Sequence, residues 1–109
     1  MAIPIEPFNA AIEILVAGHG TIRDRLNQAW LEIVSLPETQ LPAGDLRHEY
    51  MGLLSAVSYR EPKRDEGKLA ATIMRMAEDE AANCALGLLR FWLKLRAAAE
   101  SQAGDDRGR

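Results

Sequence analysis

Between Glu78 and Ala99 the chain carries apolar residues around almost its whole helical circumference, and this feature limits its possible folds more than any other. Ala81, Ala85, Leu88, Trp92 and Leu95 follow a four-three-four-three spacing, and Ala82, Leu86, Leu89 and Leu93 form a second stripe beside it. Asn83, Gly87, Arg90 and Lys94 are left for water. A helix this apolar must lie at the centre of a bundle or be covered by another subunit. The acidic triplet Glu78-Asp79-Glu80 and the basic Arg90, Lys94 and Arg96 stand at opposite ends and complement the helix dipole. The spacing therefore predicts a helix over about 78–99.

The rest of the chain supplies shorter helices to pack around it. No stretch shows the strict alternation of a half-buried strand. Phe8, Ile12 and Leu15 share one face of a helix over about 7–17, which runs into Gly18-His19-Gly20. This glycine pair has neither the spacing nor the preceding strand of a phosphate-binding loop, so it reads as a joint with His19 exposed. Thr21 with Asp24 three residues later has the form of a capping box. It opens a helix over about 22–36, bearing Leu26, Ala29 and Ile33, and Pro37 ends that helix.

The loop Pro37 to Pro42 leads to a third helix over about 43–58, striped by Leu46, Tyr50, Leu53 and Val57. Residues 59–68 hold seven charges in ten positions and read as a solvated loop, with Asp65 a candidate cap for a fourth helix over about 67–76. Ala77 is a poor N-cap, so this fourth helix is either separate from the last one or continuous with it. Residues 101–109 hold two glycines and no apolar residue larger than alanine, which predicts a disordered tail. The expected fold is an all-α, single-domain bundle of four to five helices within residues 1–100, with the apolar C-terminal helix at its centre.

Composition narrows the function classes. With 109 residues, 48% of them hydrophobic and 27% charged, the chain has the size and apolar content of one folded domain. A net charge of −3 with no strongly basic segment argues against nucleic acid as a partner. The longest apolar stretch, Ala81 to Leu93, is interrupted by Asn83 and Arg90 and falls short of the roughly 20 residues a membrane span needs. Met1 to Pro7 lacks the positive start of a secretory signal. The single Cys84 cannot form an intrachain disulfide, and the expected setting is the cytoplasm.

Few side chains carry candidate chemistry. Asp45 and His48 have the three-residue spacing of a carboxylate-histidine ligand pair, and Glu49 could join them at a metal or small ligand between helices. His19 is the only other histidine, so the second pair of a di-metal bundle is missing. Cys84 lies in an Ala/Leu-rich helix, where a cysteine behaves as a small hydrophobe. Met51, Met74 and Met76 have helical spacing and read as core filler, with a soft binding surface as the alternative. Arg60, Lys63, Arg64 and Lys68 could meet a phosphate, but Glu61, Asp65 and Glu66 are interleaved among them. No cofactor fingerprint is present.

The segments from Thr21 to Trp30, Leu41 to Tyr50 and Arg64 to Ile73 resemble those of small uncharacterised bacterial helical proteins. The shared order is a capped helix, a proline loop, a helix, a charged loop with Asp-Glu-Gly, and a helix. The likeness covers about residues 21–96; a serine is expected where Ala77 stands. It implies a bacterial cytoplasmic protein and carries over no catalytic residue.

The excess apolar circumference of the last helix and the lack of a convergent polar constellation together point to a non-enzymatic interaction or regulatory module. It is expected to act as a homodimer or by docking to a protein partner. The expected interface residues are Leu86, Leu89, Trp92, Leu93 and Trp30, with a core position as the alternative for either tryptophan and, for Trp92 on the heptad stripe, the better of the two readings.

Overall fold

The computed structural model describes the backbone of residues 3–60 and 67–107 and the side chains as far as Ser101. Five helices follow in order: α1 Ile5–Ala17, α2 Ile22–Leu31, α3 Asp45–Ala56, α4 Lys68–Ile73 and α5 Glu78–Arg107. A short 3-10 turn, Glu38–Gln40, lies in the proline loop. No strand occurs among the described residues. The chain is an all-α bundle, and α5 is its centre: α1, α2 and α3 all pack on it, while α4 leans on α2.

The ends of the helices follow from local chemistry. At the start of α2 the backbone N–H of Asp24 donates to Thr21 Oγ1 at 3.2 Å, and the N–H of Thr21 donates to Asp24 Oδ2 at 3.1 Å. This is the reciprocal capping box read from the sequence. Gly20, just before it, has φ of +95°, a conformation that a side chain resists.

α2 stops at Leu31, five residues before the expected Leu36. Its continuation is a set of tight turns in which Ile33 and Val34 both donate to the Trp30 carbonyl and Leu36 donates to that of Ile33. Two β-branched residues, a serine and the approach to Pro37 all weaken a regular helix there. Ile33 is nevertheless fully buried, so the predicted stripe survives the change in backbone.

α3 and α4 are also shorter than the periodicity suggests, and α4 ends in turns at Met74 to Met76. α4 and α5 are therefore separate helices. Arg23 secures the break between them, donating from Nη1 to the Met76 carbonyl at 3.0 Å. Arg25 likewise donates to the Leu15 carbonyl in the last turn of α1 at 2.8 Å, and Arg47 holds the proline loop through the Leu41 carbonyl at 2.6 Å. Cations at the carbonyls that close α1 and the turns after α4 suit both the orphan acceptors and the dipole.

The last helix continues past Ala99 to Arg107, so the tail predicted to be disordered is helical backbone as far as the structure describes it. Ala97 to Ala99 and Ala103 are strong helix formers, and no proline intervenes. At 1.5 Å per residue its thirty residues span about 45 Å, which accounts for most of the molecule's 52 Å long axis. The charged positions 61–66, including the candidate cap Asp65, lie outside the described residues.

The core is knitted by one aromatic ring from each of four helices. Phe8 of α1 lies 5.7 Å from Phe91 of α5 and 6.0 Å edge-on from Tyr50 of α3. Trp30 of α2 lies 5.9 Å from Tyr50, which is 6.1 Å from Phe91. Such offset and edge-on pairs add roughly 0.5–1.5 kcal/mol each beyond their burial.

Two positions named for the outside turn inward. Trp30, named for an interface with the core as its alternative, is 1% exposed and takes the core position, because the stripe Leu26, Ala29, Trp30, Ile33 turns it inward. Gly87, assigned to water, faces α3: a Cβ there would meet Leu53 Cδ2 at 3.1 Å.

Candidate functional site

The buried stripe of α5 is Ala81, Leu88, Phe91 and Leu95, all fully buried or nearly so. With the core on that side, the second apolar stripe points away from the bundle. Leu86 is 41% exposed and Leu93 is 51% exposed, while Leu89 and Trp92 are half-buried beside them. The sequence groups Leu86, Leu89 and Leu93 on the second stripe; Leu86 and Leu93 are exposed, and Leu89 is half-buried against the core.

α1 extends this surface. Ile12, Leu15 and Val16 of α1 and Ala85, Leu86 and Leu89 of α5 enclose a shallow groove of about 210 Å³ lined entirely by aliphatic side chains. Val16 on its rim is 76% exposed. A second hollow of about 460 Å³ adjoins it over Ile12 and Val16, bounded by Glu6, Asn9, Glu13, Ala17 and Trp92. The two helices run antiparallel, since Asn9 meets Trp92 while the later Val16 meets the earlier Leu86.

Trp92 fixes the register of this pair. Its indole Nε1 donates to Asn9 Oδ1 at 2.8 Å, and the Arg96 guanidinium lies 5.0 Å above its ring. The polar handle is thus satisfied within the chain, leaving the ring as part of the wall. Neither expected position for Trp92 describes it fully, because it is half-buried between core and surface.

The alternative ligand site does not assemble. His48 and Asp45 are exposed on α3, and Glu49 turns to α5, where Lys94 Nζ donates to its Oε1 at 2.7 Å. Among the described residues no group of three or more His, Cys, Asp or Glu side chains could hold a metal ion. Asp45, His48 and Glu49 therefore stand as a helix first turn, a solvated imidazole and one arm of an interhelical ion pair.

Cys84 is half-buried, and burial, with the Glu80 carboxylate adding to it, pushes its thiol up. A thiol held protonated is a poor nucleophile. Of the methionines, Met76 is core, whereas Met51 and Met74 are exposed on α3 and after α4. His19 is exposed, as expected of the joint.

No helix is long and apolar enough to cross a membrane among the described residues. Of the exposed large hydrophobic side chains among the described residues, Val16, Leu86 and Leu93 gather on the α1/α5 face. Comparison with known proteins returns no matching family model, no matching curated protein and no matching solved structure.

Proposed function

We propose that the chain is a non-enzymatic interaction module that works as a homodimer through its α1/α5 face. One observation carries this reading: Val16, Leu86 and Leu93 expose aliphatic surface around an aliphatic groove on one side of the molecule. Contiguous apolar surface rimmed by polar residues is where proteins associate. A second copy supplies both the ridge and the groove, and cyclic two-fold dimers are the commonest closed assemblies. The resemblance to small bacterial helical proteins and the lone Cys84 support a bacterial cytoplasmic setting.

Sedimentation or light scattering at micromolar concentration tests the dimer. The expected mass is twice the 12.0 kDa of the chain, and Leu93→Glu or Leu89→Glu should return it to 12.0 kDa. A wild-type chain that stays at 12.0 kDa up to sub-millimolar concentration rejects self-association and leaves the face to a different protein.

A further inference from the structure

The two edges of the apolar face carry opposite charges. On α1, Glu6 and Glu13 recur at a seven-residue interval on the outer side of Asn9 and Val16, and both are exposed. On α5, Arg90 stands with Leu86 and Leu93 at four- and three-residue steps, so it belongs to the exposed stripe. Among the described residues neither Glu13 nor Arg90 has an ion-pair partner, whereas Lys94 is held by Glu49 and Arg96 by Glu100. An unpaired carboxylate and an unpaired guanidinium therefore flank the groove on opposite sides.

These two charges also stand at one level along the helices. Asn9 meets Trp92, and Ile12, Leu15 and Val16 share a groove with Ala85, Leu86 and Leu89. Glu13 falls within the α1 interval so defined, and Arg90 falls within the matching α5 interval. A two-fold axis lying in the face and parallel to α5 carries each edge of one copy onto the opposite edge of the other without changing its level. An axis across the helices would instead oppose acid to acid and base to base.

We infer that two copies of the chain associate face to face about an axis parallel to α5, with Arg90 of each copy paired to Glu13 of the other and Leu86 of each entering the other's groove. The pairing deepens the homodimer reading and rests on it. Thirteen residues of α1 run about 20 Å. Two packed helices are about 20 Å across. That extent, about 400 Å², is half of the roughly 800 Å² that a standard interface buries on each partner, so the apolar contact alone is weak. A face of this size leaves the charge register a large share in choosing the geometry.

Complementary charge variants give the test. Glu13→Arg alone sets base against base at the pairing positions, and Arg90→Glu alone sets acid against acid, so each should self-associate at least about tenfold more weakly than wild type. Mixed together, the two variants should form a heterodimer of near wild-type affinity, and the doubly swapped chain should again form a homodimer. Both positions are exposed, and unchanged helical circular dichroism verifies that each variant is folded. If each single variant dimerises like wild type while Leu93→Glu is monomeric, the pairing is overturned and the apolar homodimer stands. A wild-type monomer overturns both.

Discussion

Tyr50 shows how one atom can work against its own residue. Its ring is 1% exposed at the crossing of three helices, yet its hydroxyl is buried with no hydrogen-bond partner among the described residues. Burial first, and the Glu38 carboxylate second, push that hydroxyl's pKa up. Because the neutral form is favoured in the fold, its stabilisation is complete below the ordinary tyrosine value near 10 and fades as pH rises through the higher folded value. Tyr50→Phe keeps the ring and deletes the unpartnered oxygen, so it should unfold at equal or higher urea, with a gain of up to ~1 kcal/mol. The variant should also lose part of the wild-type decline in stability above pH ~10. A loss greater than ~1 kcal/mol in the variant would show that the hydroxyl has a partner. Sequence periodicity finds Tyr50 as core but is silent on its oxygen. Periodicity also selects Trp92 over the adjacent Phe91 for the heptad stripe, whereas the fold buries Phe91 completely and leaves Trp92 half-buried. Neighbouring positions differ by only 100° on a helix, and where both sides are apolar the pattern cannot say which one faces inward.

Helix boundaries written in side-chain chemistry were the most legible elements. Thr21 and Asp24 declare the start of α2, and both capping bonds form. Gly20 completes that device: beyond its positive φ, a Cβ there would stand 2.7 Å from Asp24 Oδ2, the very acceptor that caps Thr21. Gly20→Ala should therefore add left-handed strain of about 1–2 kcal/mol. Displacing the cap should add about 1 kcal/mol more, measured as a lower urea midpoint with an unchanged slope. Near-wild-type stability would mean that the backbone relaxes out of the positive-φ turn at no cost. Boundaries set by distant groups were not legible. Nothing near Met76 in the sequence announces that Arg23, fifty-three positions away, holds its carbonyl. The early end of α2 is likewise a tertiary result, since Ile33 reaches the core from a turn as well as it would from a helix.

At the scale of the whole molecule, the apolar surplus of α5 divides into two parts that the sequence shows only as a sum. Ala81, Leu88, Phe91 and Leu95 are used by the bundle, and Leu86 and Leu93 are left outside it. The candidate ligand set on α3 dissolves for the same reason that the apolar face survives: α3 packs Tyr50 and Leu53 toward α5, which leaves Asp45 and His48 in solvent. If the outer residues serve association alone, stability and assembly should be separable. A homodimer is stabilised by mass action, so the wild-type melting temperature should rise with protein concentration. Leu93→Glu replaces a side chain that is 51% exposed, and in the monomer it should change stability by no more than ~0.5 kcal/mol. Its melting temperature should then be independent of concentration and converge with that of wild type at high dilution. A variant that melts well below wild type at every dilution would place Leu93 in the monomer's own packing and remove it from the interface. A wild-type melting temperature that ignores concentration would argue that the exposed leucines leave the copies apart.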